Sequence, residues 1–256
     1  MSGNTHHALV DTQFGSRAAQ YLTSTPHAQG ADLPDFVERM RGRPDAQVLD
    51  LGCGAGHASF AVAPHVDHVT ACDLSAEMLA VVAREAAARG LANIGTRQAM
   101  AEELPFADGA FDAVVCRYSA HHWRDFAAGL RQAARVLKPG GIAVFGDAVS
   151  PGGGALDTYL QAVEVLRDPS HARNRTRVEW EAAAREAGFT CVSWTPYRVR
   201  MEFGSWVARM RTPPAHVAAI RSLQSMMAED VRRHFAIEAD GSFMLDTATM
   251  ELARPG

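Results

Sequence analysis

The chain has 256 residues, of which 47% are hydrophobic and 21% are charged, and its formal net charge is -4. This length is enough for one full hydrophobic core, while no uncharged apolar run approaches the ~18 residues that a membrane-spanning helix needs. The acidic balance disfavours a general nucleic-acid binder, because neutralising phosphates requires a basic face.

The N-terminal region, residues 1–44, is predicted to form a helical cap. Apolar residues at helical spacing predict one helix over 14–22, and Asp32, a favourable N-cap, predicts the start of a second. The region lacks the basic and apolar parts of a secretory signal, and the four cysteines of the chain form no Cys-x-x-Cys pair. Both features favour a cytoplasmic protein with reduced thiols.

Residues 45–150 alternate short apolar runs with helical patterns, which is typical of βαβ units and a parallel sheet. The runs predict strands at 47–51, 68–73, 93–98, 111–116 and 142–146. Helices are predicted between them, including one that begins at Ser75 and ends before Gly90. The core of the protein is therefore predicted to be an α/β, doubly wound fold.

Residues 151–256 follow a different pattern. Helices are predicted at 154–167 and 177–187, and the next strand places Tyr197, Val199, Met201 and Phe203 on one face. A helical lid over about 204–236 separates this strand from a last one near 242–252. The complete sheet is predicted to be seven-stranded and mostly parallel, with an antiparallel last strand.

The stretch from 48 to 57, with glycines at 52, 54 and 56, has the character of a cofactor loop. A dinucleotide motif needs its third glycine one residue later, where this chain has His57. Asp50 precedes the first glycine inside an apolar run, where a carboxylate would attract a cation and repel a pyrophosphate. This spacing disfavours an NAD-dependent oxidoreductase.

A second acid, Asp73, ends the next predicted strand, close to the offset of about 20 residues at which nucleotide folds place a carboxylate on the ribose hydroxyls. Two acids and three glycines suit a ligand with a ribose and a cationic head but no phosphate. S-adenosylmethionine has this constitution.

Four ordered motifs strengthen this interpretation: the loop at 48–57, Val-Thr-Ala-Cys-Asp-Leu-Ser-Ala-Glu-Met-Leu at 69–79, Ala-Glu-Glu-Leu-Pro-Phe at 101–106, and Val-Leu-Lys-Pro-Gly-Gly at 136–141. In these motifs the chain resembles class I S-adenosylmethionine-dependent methyltransferases of the type 11 branch, which includes quinone-biosynthesis C-methyltransferases. The resemblance covers about residues 45–150 and implies a Rossmann-like methyltransferase fold. The flanks resemble an uncharacterised subgroup of that branch.

The resemblance implies a set of residues that contact the cofactor. The backbone at Gly52, Cys53 and Gly54 would lie beside the methionine part, with Asp50 below the amino group, and Asp73 would bind the ribose hydroxyls. The adenine would lie between Leu74 and Met78, with Ala101 and Glu102 at its edge. Because Met100 stands where the family often has an acid, Glu102 or a backbone carbonyl would accept from the adenine amino group. The remaining members of the predicted set are Gly56 and Cys116.

Each of these positions also has a purely structural interpretation. Asp73 would then be a helix cap, Met78 a core residue, and Glu102 a solvated loop acid. The motifs favour the cofactor interpretation because they occur together and in order. A non-catalytic module that binds S-adenosylmethionine remains the alternative from another functional class.

The segment 117–123, which follows the fourth predicted strand, is rich in functional side chains. Because ligands of open α/β sheets lie beyond the carboxyl ends of the strands, the methyl acceptor is expected here. We predict His122 or His121 as a base or orienting group, Arg117 as a ligand for an anionic or enolic oxygen, and Trp123 as a wall of the pocket. Alternatively, Trp123 belongs to the core and the histidines cap the following helix.

The sequence thus predicts in-line transfer of a methyl group from S-adenosylmethionine to a small-molecule acceptor, with S-adenosylhomocysteine as the product. Tyr21 of the N-terminal cap is the further candidate for a substrate contact. A quinone or other aromatic C-methyltransferase is the narrower alternative. No metal site is predicted, because His65 and His68 lie on a loop and a strand entry rather than on one helix face.

Overall fold

The computed structural model describes residues 5–15 and 30–256. Eight strands lie in these ranges: β1 Gln47–Leu51, β2 His68–Asp73, β3 Ile94–Gln98, β4 Phe111–Arg117, β5 Leu137–Ser150, β6 Arg175–Thr176, β7 Thr190–Met201 and β8 Phe243–Ala253. The α-helices are α1 His6–Gly15, α2 Leu33–Met40, α3 His57–Val62, α4 Ala76–Ala88, α5 Phe126–Val136, α6 Ala155–Arg167, α7 Arg177–Glu186, α8 Phe203–Met210, α9 Pro214–Met226 and α10 Glu229–His234.

Seven strands form one sheet in the order β3-β2-β1-β4-β5-β8-β7, and the two-residue β6 pairs with β5. Neighbours from β3 to β5 are parallel, whereas β8 is antiparallel to both β5 and β7. The predicted mostly parallel, seven-stranded sheet with an antiparallel last strand is therefore confirmed. None of the helices described is long and apolar enough to cross a bilayer.

Helices cover both faces of the sheet because its central strands are apolar on both sides. Leu49 and Leu51 of β1 pack toward α5 and α7, in one cluster with Leu130 and Trp180. Val48 faces the opposite side, in a second cluster that includes side chains of α2 and α3. Burial of alternate residues on two faces explains why β1 is apolar from Val48 to Leu51 except at Asp50.

Four details differ from the sequence predictions. Strand β5 begins at residue 137 and extends to 150, because 138–141 form an irregularity in its pairing with β4 and its end pairs with β6 and β8. Phe203 begins α8 rather than continuing β7. The N-terminal region contains α1, which the sequence analysis missed, while most of the predicted helix at 14–22 lies outside the described residues. The short β6 was not predicted.

The helical segment between β7 and β8, residues 203–236, forms a small core with α6. Trp206, Ile220 and Phe235 from this segment are buried against Leu160 of α6 and Phe243 of β8. We call this segment the β7–β8 insertion. It closes one side of the carboxyl edge of the sheet.

Asp32 does not cap α2 as predicted, because its side chain makes no capping hydrogen bond. Its carboxylate instead forms a buried ion pair with Arg117 at the end of β4, with Nε–Oδ2 and Nη2–Oδ1 distances of 2.6 and 2.8 Å. Two parallel hydrogen bonds of this kind fix the relative orientation of both groups. The pair anchors the start of α2 to the central sheet.

Replacing Asp32 by Ala is expected to lower the free energy of unfolding by about 3–5 kcal/mol, because the buried Arg117 guanidinium loses its carboxylate. Denaturant titration measures the loss. Glu229→Ala removes the partner of Arg233 in a pair whose side chains are 74% and 84% exposed, so it should change stability by less than about 1 kcal/mol. Equal effects of the two substitutions would contradict a structural role for the Asp32–Arg117 pair.

Candidate functional site

The carboxyl ends of β1, β2 and β4 border a cleft of about 1050 Å³, which includes its opening to solvent. The strand order reverses between β1 and β4, and ligands of open α/β sheets bind at such a switch point. We call it the glycine-loop cleft, and its lining includes the turn 50–55, residues 73–75, residues 99–102, the segment 117–119, and side chains of α1.

The turn after β1 passes close to the segment that follows β4. The N–H groups of Gly52 and Cys53 both donate to the carbonyl of Cys72, at 2.8 and 2.9 Å. Gly52 has φ of +69°, and a Cβ there would lie 1.9 Å from Oγ of Ser119. Gly54 has φ of +51°, but a Cβ there would have nothing within 4 Å. The two glycines therefore serve different needs: Gly52 allows close packing, whereas Gly54 faces open space.

Gly56 and Cys116, both predicted cofactor contacts, do not line this cleft. Gly56 begins α3 with φ of +90°, and a Cβ there would lie 2.7 Å from the ring of Phe60. Cys116 is 1% exposed and packs in the same apolar cluster as Leu130 and Trp180. In this structure the two residues shape the turn and the core rather than the cleft wall, and their cofactor contacts stay predictions.

Asp50 lies at the foot of the cleft with no exposed surface. Ser59 donates to its Oδ2 at 2.6 Å, but its Oδ1 is buried and has no hydrogen-bond partner among the described residues. Burial raises the pKa of Asp50 to about 6, although the hydrogen bond from Ser59 opposes the rise. A buried carboxylate oxygen that lacks a donor is suited to a cationic or hydrogen-bonding ligand.

Asp73 lies across the cleft from Asp50, at the end of β2. Its Oδ2 accepts from the N–H of Gly54 at 2.8 Å and its Oδ1 accepts from the N–H of Ser75 at 2.9 Å. Burial raises the pKa of Asp73, while these backbone hydrogen bonds lower it. Each carboxylate oxygen can accept more than one hydrogen bond, so both retain capacity for hydroxyl groups of a ligand.

The other predicted contacts also line the cleft. Leu74 and Met78 supply its apolar side, next to Ala101 and Glu102. Oε1 of Glu102 accepts from the N–H of Asp125 at 3.3 Å and lies 3.4 Å from Nε2 of His7 on α1. Glu102 thus contacts α1 through His7 and also forms part of the cleft wall.

Arg117 lines the cleft, and its contact with an oxygen of the acceptor stays a prediction. Its Nε and Nη2 are both hydrogen-bonded to Asp32, and the side chain is buried. Trp123 lines the cleft as predicted and also belongs to the core, with its indole N–H donating to Ser119 at 3.2 Å. Tyr21, the other predicted substrate contact, lies outside the described residues.

A second cavity of about 610 Å³, including its opening, lies on the other side of Tyr118 and His122. We call it the inner cavity. Three residues line both cavities: Phe14, Tyr118 and His122. Its remaining lining comes from His121, α6, the loop after α6, the β7–β8 insertion and the sheet. A molecule in each cavity would therefore contact the same three side chains.

His121 and His122 lie between these cavities with their rings 4.1 Å apart. Nδ1 of His121 lies 2.5 Å from Oδ1 of Asp147. Burial alone would lower the pKa of His121, but the adjacent Asp147 carboxylate more than offsets this and raises it. His121 is thus the member of the pair that holds a proton more readily.

His122 has the opposite electrostatic character. Burial and the neighbouring His121 lower its pKa to about 4. Its Nδ1 lies 3.1 Å from the carbonyl oxygen of Ser170, which only accepts, so Nδ1 carries the proton and Nε2 carries a lone pair. Neutral His122 therefore presents the lone pair of Nε2 at the boundary of the two cavities, with its ring packed edge-on against Phe14.

The sequence analysis missed two polar residues near the histidines. Asp147 is a buried acid inside the apolar run 142–149 of β5, which is the same signal that identified Asp50. Asn174, in the loop after α6, is buried and lines the inner cavity. Nothing in its local sequence distinguishes it, because its position depends on contacts with α6.

Comparison with known proteins gives consistent results. A family model described as a methyltransferase domain matches residues 49–145. The uncharacterised protein YafE of Escherichia coli is 50% identical over 76% of this chain and 94% of its own length. The uncharacterised methyltransferase YcgJ of Bacillus subtilis is 32% identical over 89% of this chain and 90% of its own.

The crystal structure of YcgJ is similar with a TM-score of 0.83 and 30% sequence identity, covering 88% of this chain and 98% of that one. The ubiquinone/menaquinone biosynthesis C-methyltransferase UbiE of Rhizobium meliloti is 33% identical over 61% of this chain and 69% of its own length.

Alanine at Gly52 and at Gly54 should have different costs. Gly52→Ala combines a left-handed backbone with a clash against Ser119, so the free energy of unfolding should fall by about 3 kcal/mol. Gly54→Ala should lower the free energy of unfolding by only about 1 kcal/mol, the cost of the left-handed backbone. Its methyl group would enter the cleft, so it should weaken ligand binding. Denaturant titration and ligand titration of both variants separate these effects. Equal stability losses in the two variants would contradict the conclusion that only Gly52 is required for close packing.

Proposed function

The chain belongs to the S-adenosylmethionine-dependent methyltransferases, and from this premise we propose how its residues bind the cofactor and the acceptor. The cofactor occupies the glycine-loop cleft. The acceptor is a small molecule that approaches from the side of His122. The proposal rests on the chemistry of the residues that face each cavity.

The observation that carries the proposal is the unpaired Oδ1 of Asp50. The amino group of the methionine part of the cofactor would supply the missing donor and a positive charge, and both favour the ionised carboxylate. A phosphate-bearing ligand at the same place would be repelled. Gly52 and Cys53 form the adjacent backbone, and Gly54 leaves room for the ligand because it has no Cβ.

The rest of the cleft suits the nucleoside. Asp73, with capacity left on both oxygens, would accept hydrogen bonds from the two ribose hydroxyls. Leu74 and Met78 would pack on the faces of the adenine, and Ala101 with Glu102 would meet its edge. These roles fit the residue chemistry of the cleft: acids face hydroxyl groups and an amine, and apolar side chains face a flat ring.

The cofactor supplies a methyl group on a sulfonium, whose leaving group is neutral. The protein then has three tasks: to align the acceptor, to exclude water and, where the acceptor is a weak acid, to remove its proton. Phe14, Tyr118 and His122 border both cavities, so they align acceptor and methyl group. Tyr118 holds this place with φ of +51°, a backbone conformation that few residues other than glycine adopt.

His122 is the proposed base. Its lowered pKa keeps it neutral at pH 7, and Ser170 holds Nδ1 so that Nε2 accepts the proton from the acceptor. The adjacent His121–Asp147 pair orients this segment, because Asp147 binds both Nδ1 and the backbone N–H of His121. His121 is thus a positioning residue rather than a second base.

An aromatic or quinone-type ring is the narrower candidate for the acceptor. Two observations favour it: the similarity to UbiE and the aromatic side chains of Phe14, Tyr118 and Trp206 around the inner cavity. Flat rings pack well against such surfaces. Deprotonation by His122 would make a ring carbon or oxygen nucleophilic.

The affinity for S-adenosylmethionine should depend on the ionisation of Asp50. Because its pKa is about 6 without ligand, the dissociation constant should rise about tenfold from pH 7 to pH 5. Calorimetric titration measures this dependence. Asp50→Asn should bind weakly with a flat profile, whereas Asp67→Asn, at an exposed site, should retain the wild-type slope. An unchanged slope in Asp50→Asn would contradict the ammonium contact.

Replacing His122 by Gln should lower the rate of S-adenosylhomocysteine release by about 10²–10⁴-fold, the usual contribution of a general base. The rate is measured with the best acceptor in a panel of phenols, hydroquinones and lactams. His65→Gln, outside both cavities, is the control. S-adenosylhomocysteine affinity should stay within about twofold of wild type, and full turnover in His122→Gln would rule out the base.

A further inference from the structure

Asn174 is the unusual feature of the inner cavity. It is 1% exposed, and within residues 5–15 and 30–256 neither Nδ2 nor Oδ1 of its side chain has a hydrogen-bond partner. Buried amides of this kind are normally paired on both atoms, because an unmade hydrogen bond leaves the desolvation cost uncompensated. An amide that lacks both partners is suited to a ligand that supplies one donor and one acceptor.

Gln161 of α6 fixes the position of Asn174. Its Oε1 accepts from the backbone N–H of Asn174 at 3.1 Å, and its Nε2 donates to the backbone carbonyl at 2.7 Å. The same Oε1 lies 3.0 Å from Nε2 of His171. With the backbone of Asn174 engaged on both sides, its side-chain amide is the polar group that it can offer to the cavity.

The charges around the inner cavity compensate one another. Arg167 lies against Glu164, with Nη1–Oε2 of 3.4 Å, and its Nε donates to the carbonyl of Trp206. The lining contains two acids and two arginines, Glu164, Asp168, Arg167 and Arg209. An occupant with a net charge would gain little from this arrangement, so an uncharged molecule is favoured.

Apolar side chains form another part of the wall. Met201, Trp206 and Leu245 line the cavity and are buried in the core of the β7–β8 insertion. They would cover the body of a flat, apolar molecule while Asn174 binds one of its edges. His122, at the opposite boundary, would face the atom that receives the methyl group.

We propose that the inner cavity binds the methyl acceptor and that Asn174 selects an uncharged planar ring with a hydrogen-bond donor and acceptor side by side on one edge, as in a lactam. This inference rests on the proposed function, since it identifies the acceptor class of the same site. A carboxamide matches such an edge because its N–H and C=O point in the same direction and make two parallel hydrogen bonds.

The test compares two probes of nearly identical shape, 2-quinolone and coumarin, which differ by a lactam N–H in place of a ring oxygen. Both are titrated into the full chain saturated with S-adenosylhomocysteine. Wild type should bind 2-quinolone about tenfold more tightly than coumarin, as expected for one well-made hydrogen bond. Asn174→Leu should weaken 2-quinolone about a hundredfold, because both hydrogen bonds are lost, and coumarin only about tenfold, because it loses the single hydrogen bond to its carbonyl.

Gln224→Leu is the matched control. Gln224 is a buried amide within the β7–β8 insertion, but its side chain is hydrogen-bonded at both ends, to Gly241 and Arg221, and it lines neither cavity. The preference for 2-quinolone should survive this substitution. Asn174→Ala, which removes the whole amide and adds no volume, replaces Asn174→Leu if the latter does not fold, and it too should abolish the preference.

Three results would overturn the inference: equal affinity of wild type for the two probes, no binding of 2-quinolone at about 1 mM while S-adenosylhomocysteine is bound, or an equal loss for both probes in Asn174→Leu. The last result would assign Asn174 a structural role. Failure of wild type to bind S-adenosylhomocysteine would instead contradict the proposed function, so the two failures are distinguishable.

Discussion

A carboxylate without solvent contact, Asp50, lies one residue before the end of β1, an interior strand of the sheet. β1 is buried on both faces and pairs with β2 on one side and β4 on the other. Its last turn must pass close to Ser119 and bond to Cys72, which only a glycine at position 52 permits. The fold thus places the unpaired carboxylate oxygen of Asp50 and the backbone of the glycine turn at the switch point between β1 and β4.

The segment after β4 links this centre to the rest of the molecule. Arg117 joins it to α2 through Asp32, Trp123 joins it to the core, and the carbonyl of His121 accepts from the N–H groups of Ala172 and Arg173 in the loop after α6. His122 consequently lies between two cavities rather than on an open surface. One side holds acids suited to a cofactor, and the other holds an amide and apolar side chains suited to an acceptor.

The sequence predicted features that depend on local pattern. The bounds of β1 and β2 were correct, because each is a short apolar run closed by an acid or a glycine. Contacts across long sequence separations were not predictable: Asp32 looked like a cap, yet it pairs with Arg117, 85 residues away. Asn174 is similar, because its unpaired amide results from how Gln161 holds its backbone. Asp147 was detectable, since it is an acid within the apolar run 142–149 of β5.

The central claim is that the glycine-loop cleft binds the S-adenosyl group rather than a dinucleotide. Calorimetric titration of the wild-type chain with S-adenosylhomocysteine and with NADH tests it most directly. The account predicts saturable binding of S-adenosylhomocysteine at one site per chain and no heat of binding with NADH. A folded protein that binds NADH, or that binds neither compound, would contradict it.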